Sequence, residues 1–128
     1  MPLVNMKALI AVASGDPEFV RETRYLNGAV KVGVADDTYV LHFENGKIAR
    51  LSADDTPDAA CKIVIKGARE LWTNMLAQTP KPFYQCLQST AVKHGLFISD
   101  SNETFAYLPA LNRMLALMRQ EFNSGGKA

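Results

Sequence analysis

Little in this sequence is in excess, and the shortages exclude most function classes. Lys and Arg number 14 against 13 Asp and Glu, a formal net charge of +1. There is no basic footprint for nucleic acid and no acidic tail. No apolar run approaches the roughly 20 residues of a membrane-spanning helix. The stretch from Ala8 to Ala13 is shorter than a signal-peptide core, so secretion is not expected. Ser124-Gly125-Gly126-Lys127-Ala128 reads as a polar tail without a peroxisomal or retention signal.

Cysteine and histidine are equally scarce. The 2 cysteines, Cys61 and Cys86, fit no metal spacing and no redox pair. Both sit among apolar neighbours, where a thiol behaves as a small hydrophobe, so buried reduced thiols in a reducing cytoplasm are expected. His42 and His94 are too few and too far apart for a metal site. Ser14, Ser52, Ser89, Ser99, Ser101 and Ser124 lack a nucleophile-elbow context, and the glycines form no phosphate-binding or dinucleotide fingerprint. Asp54-Asp55 reads as a solvated loop pair. Neither a cofactor, a metal nor a catalytic residue is expected, and the chain reads as a non-enzyme.

What remains is an ordinary globular composition. Of 128 residues, 48% are hydrophobic and 21% charged, enough for one domain with a real core. The expected unit is a single domain over 1–128, with a core at about 16–122 and a flexible tail at 123–128.

The local pattern begins helical. Leu3, Val4, Met6, Leu9 and Ile10 recur at helical spacing before Ser14-Gly15. Asp16-Pro17-Glu18 combines a cap, a proline suited to the first turn and an acid at the positive dipole end. Phe19, Val20, Thr23 and Leu26 then share a face, and Asn27-Gly28 stops the helix. The period next drops to two. Val30, Val32 and Val34 alternate, Asp36-Asp37 turns, and Tyr39, Leu41 and Phe43 alternate again. Asn45-Gly46 is the preferred pair of a type I′ hairpin, which places Glu44 opposite Lys47 and Phe43 opposite Ile48.

Ser52 to Ala59 reads as an exposed loop. Cys61, Ile63 and Ile65 mark a fourth strand, and Ala68 to Ala77 a helix ended by Pro80 and Pro82. A short helix runs through Phe83, Tyr84 and Leu87. Val92 to Ile98 reads as a fifth strand. Asp100 and Glu103 resemble a capping box before a last helix through Phe105, Leu108, Leu111, Leu115, Met118 and Phe122, kinked or split at Pro109. Strands in succession and helices in runs make this an α+β architecture, a five-stranded, mainly antiparallel sheet covered by helices.

In that order the elements resemble the sterol carrier protein 2 family from about Val30 to Met118. Glu44-Asn45-Gly46-Lys47 is similar to the family's central hairpin, and Asp58-Ala59-Ala60-Cys61-Lys62-Ile63-Val64-Ile65 to its next strand. Glu70 to Leu76 resembles the helix that follows. His94-Gly95-Leu96-Phe97-Ile98-Ser99-Asp100 resembles a Gly-containing strand near the end. Departures are the Asp58-Ala59 order, Ser99 where the family has Gly, and Ala77-Gln78-Thr79-Pro80 without the usual Gly. The resemblance implies an apolar cavity between sheet and helices that takes a sterol, a fatty acyl group, a fatty acyl-CoA or a quinone precursor, with no shared catalytic residue.

Side chains on faces that would meet give the candidate lining: Leu71, Trp72, Met75, Phe83, Leu87, Phe105, Leu108, Leu111, Met114, Leu115 and Met118. Any amphipathic helix supplies such a stripe, so plain core packing is the competing reading. His94, in step with Val92, Leu96 and Ile98, is the candidate polar contact inside. Arg69, Arg113 and Arg119 are candidates for a ligand carboxylate or phosphate. The functional expectation is a lipid-like small-molecule carrier, with the N-terminal and last helices as a movable cover. The alternative is an interaction module docking through Leu3, Met6, Leu9 and Ile10 on a partner enzyme or on a second copy.

Overall fold

The computed structural model describes residues 3–53 and 56–124, so Asp54-Asp55 and residues 125–128 lie outside the described part. The chain opens with two short helices, α1 (Met6–Ser14) and α2 (Pro17–Thr23). The Asn5 side chain accepts from the Ala8 N–H at 3.1 Å to start α1. Asp16 caps α2 as its sequence predicts, accepting from the Phe19 N–H at 2.9 Å. Three strands follow: β1 (Gly28–Val34), β2 (Asp37–Glu44) and β3 (Lys47–Ser52). The first turn falls at Ala35-Asp36, one residue before the expected pair, with Ala35 at φ 58°.

The Asn45-Gly46 turn sets the β2–β3 register as expected, with Glu44 opposite Lys47 and Phe43 opposite Ile48. A bulge after His42 leaves Ala49 unpaired and carries Arg50 opposite His42. A short 3₁₀ turn (Asp58–Ala60) leads into β4 (Ile63–Gly67), which lies parallel to β1. The sheet order is β3-β2-β1-β4-β5, where β5 (Phe97–Ile98) is antiparallel to β4. The sheet is therefore mixed, antiparallel at three of its four pairings.

The remaining helices are α3 (Arg69–Met75), α4 (Leu87–His94), α5 (Asn102–Ala106) and α6 (Leu108–Ser124). Several local expectations need correction. Residues 92–94 end a helix and do not form a strand, because Leu87 and Thr90 face inward one turn apart and Gly95 supplies the left-handed cap at φ 81°. Phe83 and Tyr84 precede that helix. Ser101, not Asp100, caps α5 by accepting from the Thr104 N–H. Pro109 does split the last helical stretch, standing in the first turn of α6, where a missing N–H costs nothing.

One hydrophobic cluster joins the inward face of the sheet (Val30, Val32, Val34, Leu41, Phe43, Ile63, Ile65) to the helices. Alternation along each strand puts these side chains on one face. Val4, Met6, Leu9 and Ala13 belong to this cluster, so the core begins well before residue 16. The opposite face is covered in part. Lys31 is buried there, donating to the Thr56 carbonyl at 2.7 Å and to Asp58 at 2.9 Å.

Candidate functional site

The N-terminal helices and the hairpin enclose a groove at the β3 edge of the sheet. Helix α1 turns Met6, Leu9 and Ala13 into the core and packs against α6 and β3. Its half-buried Ile10 is left over the hairpin. Phe19, at the start of α2, sits against Phe43 with ring centroids 6.3 Å apart. Between these elements lie two hollows, of about 350 Å³ and about 260 Å³, with Ile48 lining both. The walls are Phe19, Val20, Ile10, Ile48 and Leu51, and the rim carries Lys7, Lys47 and Arg50. Val20, expected to share a face with Phe19, Thr23 and Leu26, is instead 45% exposed while Phe19 is buried, and it forms part of the wall.

The groove is held at one end by an ion pair spanning most of the chain. Arg113 on α6 donates from Nε at 3.0 Å and Nη2 at 2.8 Å to the two Asp16 carboxylate oxygens. That bidentate guanidinium, with the Phe19 N–H, holds the Asp16 carboxyl down at about 2 from its ordinary 3.8. The pin sits at the α1–α2 corner, beside Ser14-Gly15. Beyond it α1 rests on apolar packing alone among the hydrogen bonds and ion pairs of the described residues, apart from its own cap and corner turn.

A second cleft, of about 540 Å³, opens at the other end of the sheet, among Lys31, Gly33, Lys66, Gly67, Leu71 and Gly95. Both lysines share the Asp58 carboxylate, which lies below its ordinary pKa because of Lys66 first and Lys31 second. Leu71 is its one large apolar wall. The charges there are already answered, so the cleft suits a hydrophobic ligand less well than the groove.

The sequence-derived lining separates into three groups. Trp72, Met75, Leu87, Leu111, Met114, Leu115 and Met118 come together as buried members of the core cluster, and Leu71 and Leu108 pack against it. Trp72 is fully buried, its indole N–H donating to the Gly33 carbonyl at 2.9 Å. Phe83 and Phe105 are not brought to the others, standing exposed at the surface. His94 does not point inward. It is exposed at the end of α4, stacked on Tyr84 at 3.9 Å with Nε2 3.3 Å from the Pro82 carbonyl.

Other candidates are engaged structurally. His42 Nε2 lies 3.0 Å from Ser52 Oγ. Arg113 is committed to Asp16, and Arg119 donates to the Met75 and Gln85 carbonyls. Cys61 and Cys86, expected to be buried, are only half-buried. No group of three or more His, Cys, Asp or Glu among the described residues could hold a metal ion, and no described helix is long and apolar enough to cross a membrane. The sequence reading does not anticipate the groove itself. Its signals are Ile48 and Leu51 on an edge strand next to the apolar N-terminal segment.

No protein-family model matches this sequence, and no curated protein matches it. Solved structures do match in three dimensions. A crystal structure of sterol carrier protein 2 superposes with a TM-score of 0.68 at 15% identity, covering 89% of this chain and 92% of the other. A solution structure of a conserved hypothetical protein from Thermus thermophilus, suggested to be a sterol carrier protein, gives 0.58 at 15% identity, covering 89% and 86%. The ubiquinone synthesis protein UbiJ-SCP2 gives 0.56 at 12% identity, covering 86% of each chain. The chain therefore has the sterol carrier protein 2 fold.

Proposed function

We propose that this fold serves here as a carrier of a hydrophobic, lipid-like molecule, with no chemistry of its own. The observation that supports it best is the groove between α1 and β3, apolar along its walls and cationic at its rim. Such a lining suits an amphipathic anion, a fatty acyl chain above all: the chain lies along Phe19, Val20, Ile10, Ile48 and Leu51, and the headgroup meets Lys7, Lys47 or Arg50. Burying roughly 300 Å² of ligand at about 25 cal/mol per Å² gives about 7 kcal/mol before association costs, so micromolar binding, about 8 kcal/mol net, needs a longer buried chain and the cationic rim's contact with the headgroup.

Helix α1 is the movable cover in this reading. Lifting it about Ser14-Gly15, beside the Asp16–Arg113 pin, would expose Leu9 and Met6 and let the chain end pass toward Met114, Leu115 and Met118. A cytoplasmic site of action belongs to the same proposal.

Lipid extraction and native mass spectrometry of gently purified protein test it, together with titration of a fluorescent fatty acid. The expected result is a co-purifying lipid and saturable binding that Ile48→Asp weakens at least about tenfold, the loss for burying one charge against an acyl chain. A clean apo mass with no saturable binding would overturn the carrier reading. Unchanged binding in Ile48→Asp and Val20→Asp would move the ligand elsewhere in the fold.

A further inference from the structure

No Asp or Glu occurs between Glu70 and Asp100, an acid-free stretch of the chain that includes most of α3 and all of α4 and β5. Within it, α4 and the turn before it are built to be held on one side and bare on the other. Leu87 and Thr90 are buried. The Asn112 side chain on α6 accepts from the Leu87 N–H at 2.9 Å and donates to Gln88 at 2.8 Å. Arg119 donates to the Gln85 carbonyl at 3.2 Å. The far side presents Val92, 80% exposed, and Phe83, 48% exposed.

Phe83 is not exposed by accident of a loose loop. Its backbone sits at φ 70°, a left-handed conformation that a bulky residue adopts only when its surroundings impose it. Two hydroxyls brace it: Ser89 Oγ and Thr90 Oγ1 stand 3.0 and 2.9 Å from the Phe83 carbonyl, each sharing its proton with the Cys86 carbonyl at 3.2 and 2.8 Å. Lys93 Nζ lies 5.1 Å from the centre of the phenyl ring, so the exposed aromatic carries a cation on its face. Lys81, two residues before Phe83, is also exposed.

We propose that the outer side of α4 and its preceding turn is a docking surface for a lipid bilayer with anionic headgroups. Phe83 and Val92 enter the acyl boundary while Lys81 and Lys93 meet the headgroups. Exposed apolar side chains alone are common on protein surfaces. A strained, braced phenyl flanked by lysines in an acid-free segment matches the two requirements of interfacial binding, apolar area and positive charge. This surface is separate from the groove, so the inference stands or falls apart from the ligand reading.

The test is vesicle sedimentation of the full, lipid-free chain without added ligand. Wild type is expected to partition onto phosphatidylcholine–phosphatidylglycerol vesicles, to bind pure phosphatidylcholine far less, and to be released by salt. Val92→Glu, at a site too exposed to affect folding, and Phe83→Asn, which suits the left-handed backbone, each weaken binding about tenfold. Lys93→Gln weakens it about fivefold at low salt. Tyr25→Ala, removing an exposed aromatic at the other end of the sheet, leaves it unchanged. Wild type that ignores both vesicle types overturns the proposal, even if it binds an acidic protein. Equal binding of neutral vesicles, or Val92→Glu behaving as wild type, overturns it as well.

Discussion

Two glycines with nearly the same backbone angle should respond very differently to alanine. Gly46 has φ 83° and Gly95 has φ 81°. Alanine in that region costs about 1–2 kcal/mol through its Cβ and the following carbonyl, and this part is common to both. At Gly95 nothing lies within 4 Å of the added carbon, so the backbone cost is the whole effect. At Gly46 the added carbon would stand 2.6 Å from the Arg24 Cα and from the Thr23 carbonyl oxygen. These are backbone atoms that cannot rotate aside. Relief requires the hairpin to draw back from the end of α2. That movement breaks the Thr23 Oγ1 bond to the Gly46 carbonyl (3.0 Å) and the Gly46 N–H bond to the Leu26 carbonyl (2.8 Å). At about 1 kcal/mol each, the Gly46→Ala loss becomes about 3–4 kcal/mol, against about 1–2 for Gly95→Ala. Urea unfolding followed by Trp72 fluorescence and circular dichroism measures both. Losses within about 0.5 kcal/mol of each other, the scatter of neutral surface changes, would refute the close-approach argument.

Two further outcomes follow from buried and paired groups. Trp72→Phe removes the donor to the Gly33 carbonyl and leaves a gap in the core. It should cost roughly 2–4 kcal/mol by urea unfolding, and a loss under about 1 kcal/mol would show that the bond contributes little. The Asp16 carboxyl is lowered from 3.8 to about 2 in the folded chain, so its contribution is complete above the unfolded value and disappears as the pH falls through that window. Wild type should therefore lose urea resistance on acidification from pH 3.8 toward 2 more steeply than Asp16→Asn, which starts lower at neutral pH. Parallel curves for the two proteins would remove Asp16 from the acid response.

The parts of the fold legible in the sequence are those governed by short-range rules. Asn45-Gly46 dictates the turn, and the turn dictates the Phe43–Ile48 pairing. Asp16-Pro17-Glu18 dictates a helix start. The fifth strand is not legible, because Val92, His94, Leu96 and Ile98 alternate across what is a helix end, a glycine cap and a two-residue strand. Periodicity does not register a left-handed residue between two elements. Phe105 falls in step with Leu108 and Leu111, but the break at Tyr107, just before Leu108-Pro109 opens α6, takes Phe105 out of the α6 stripe. Lys31 is buried without a local signal, since nothing nearby in the chain announces that Thr56 and Asp58 will fold over it. The candidate lining rests on apolar stripes, which mark burial. A concave wall such as Ile10, Ile48 and Leu51 arises only when an edge strand meets a helix distant in sequence.

The Asp16–Arg113 pin joins positions 97 residues apart, and this sets an order of events during synthesis. At roughly 5–20 residues per second, the ribosome delivers α6 about 5–20 seconds after α2. Throughout that interval Met6, Leu9 and Phe19 have neither α6 to pack on nor a partner for the aspartate. The hairpin can form as it emerges, but α1 and α2 wait for α6. Until α6 arrives the nascent chain thus exposes the apolar faces of α1 and α2, a stretch for chaperones to shield.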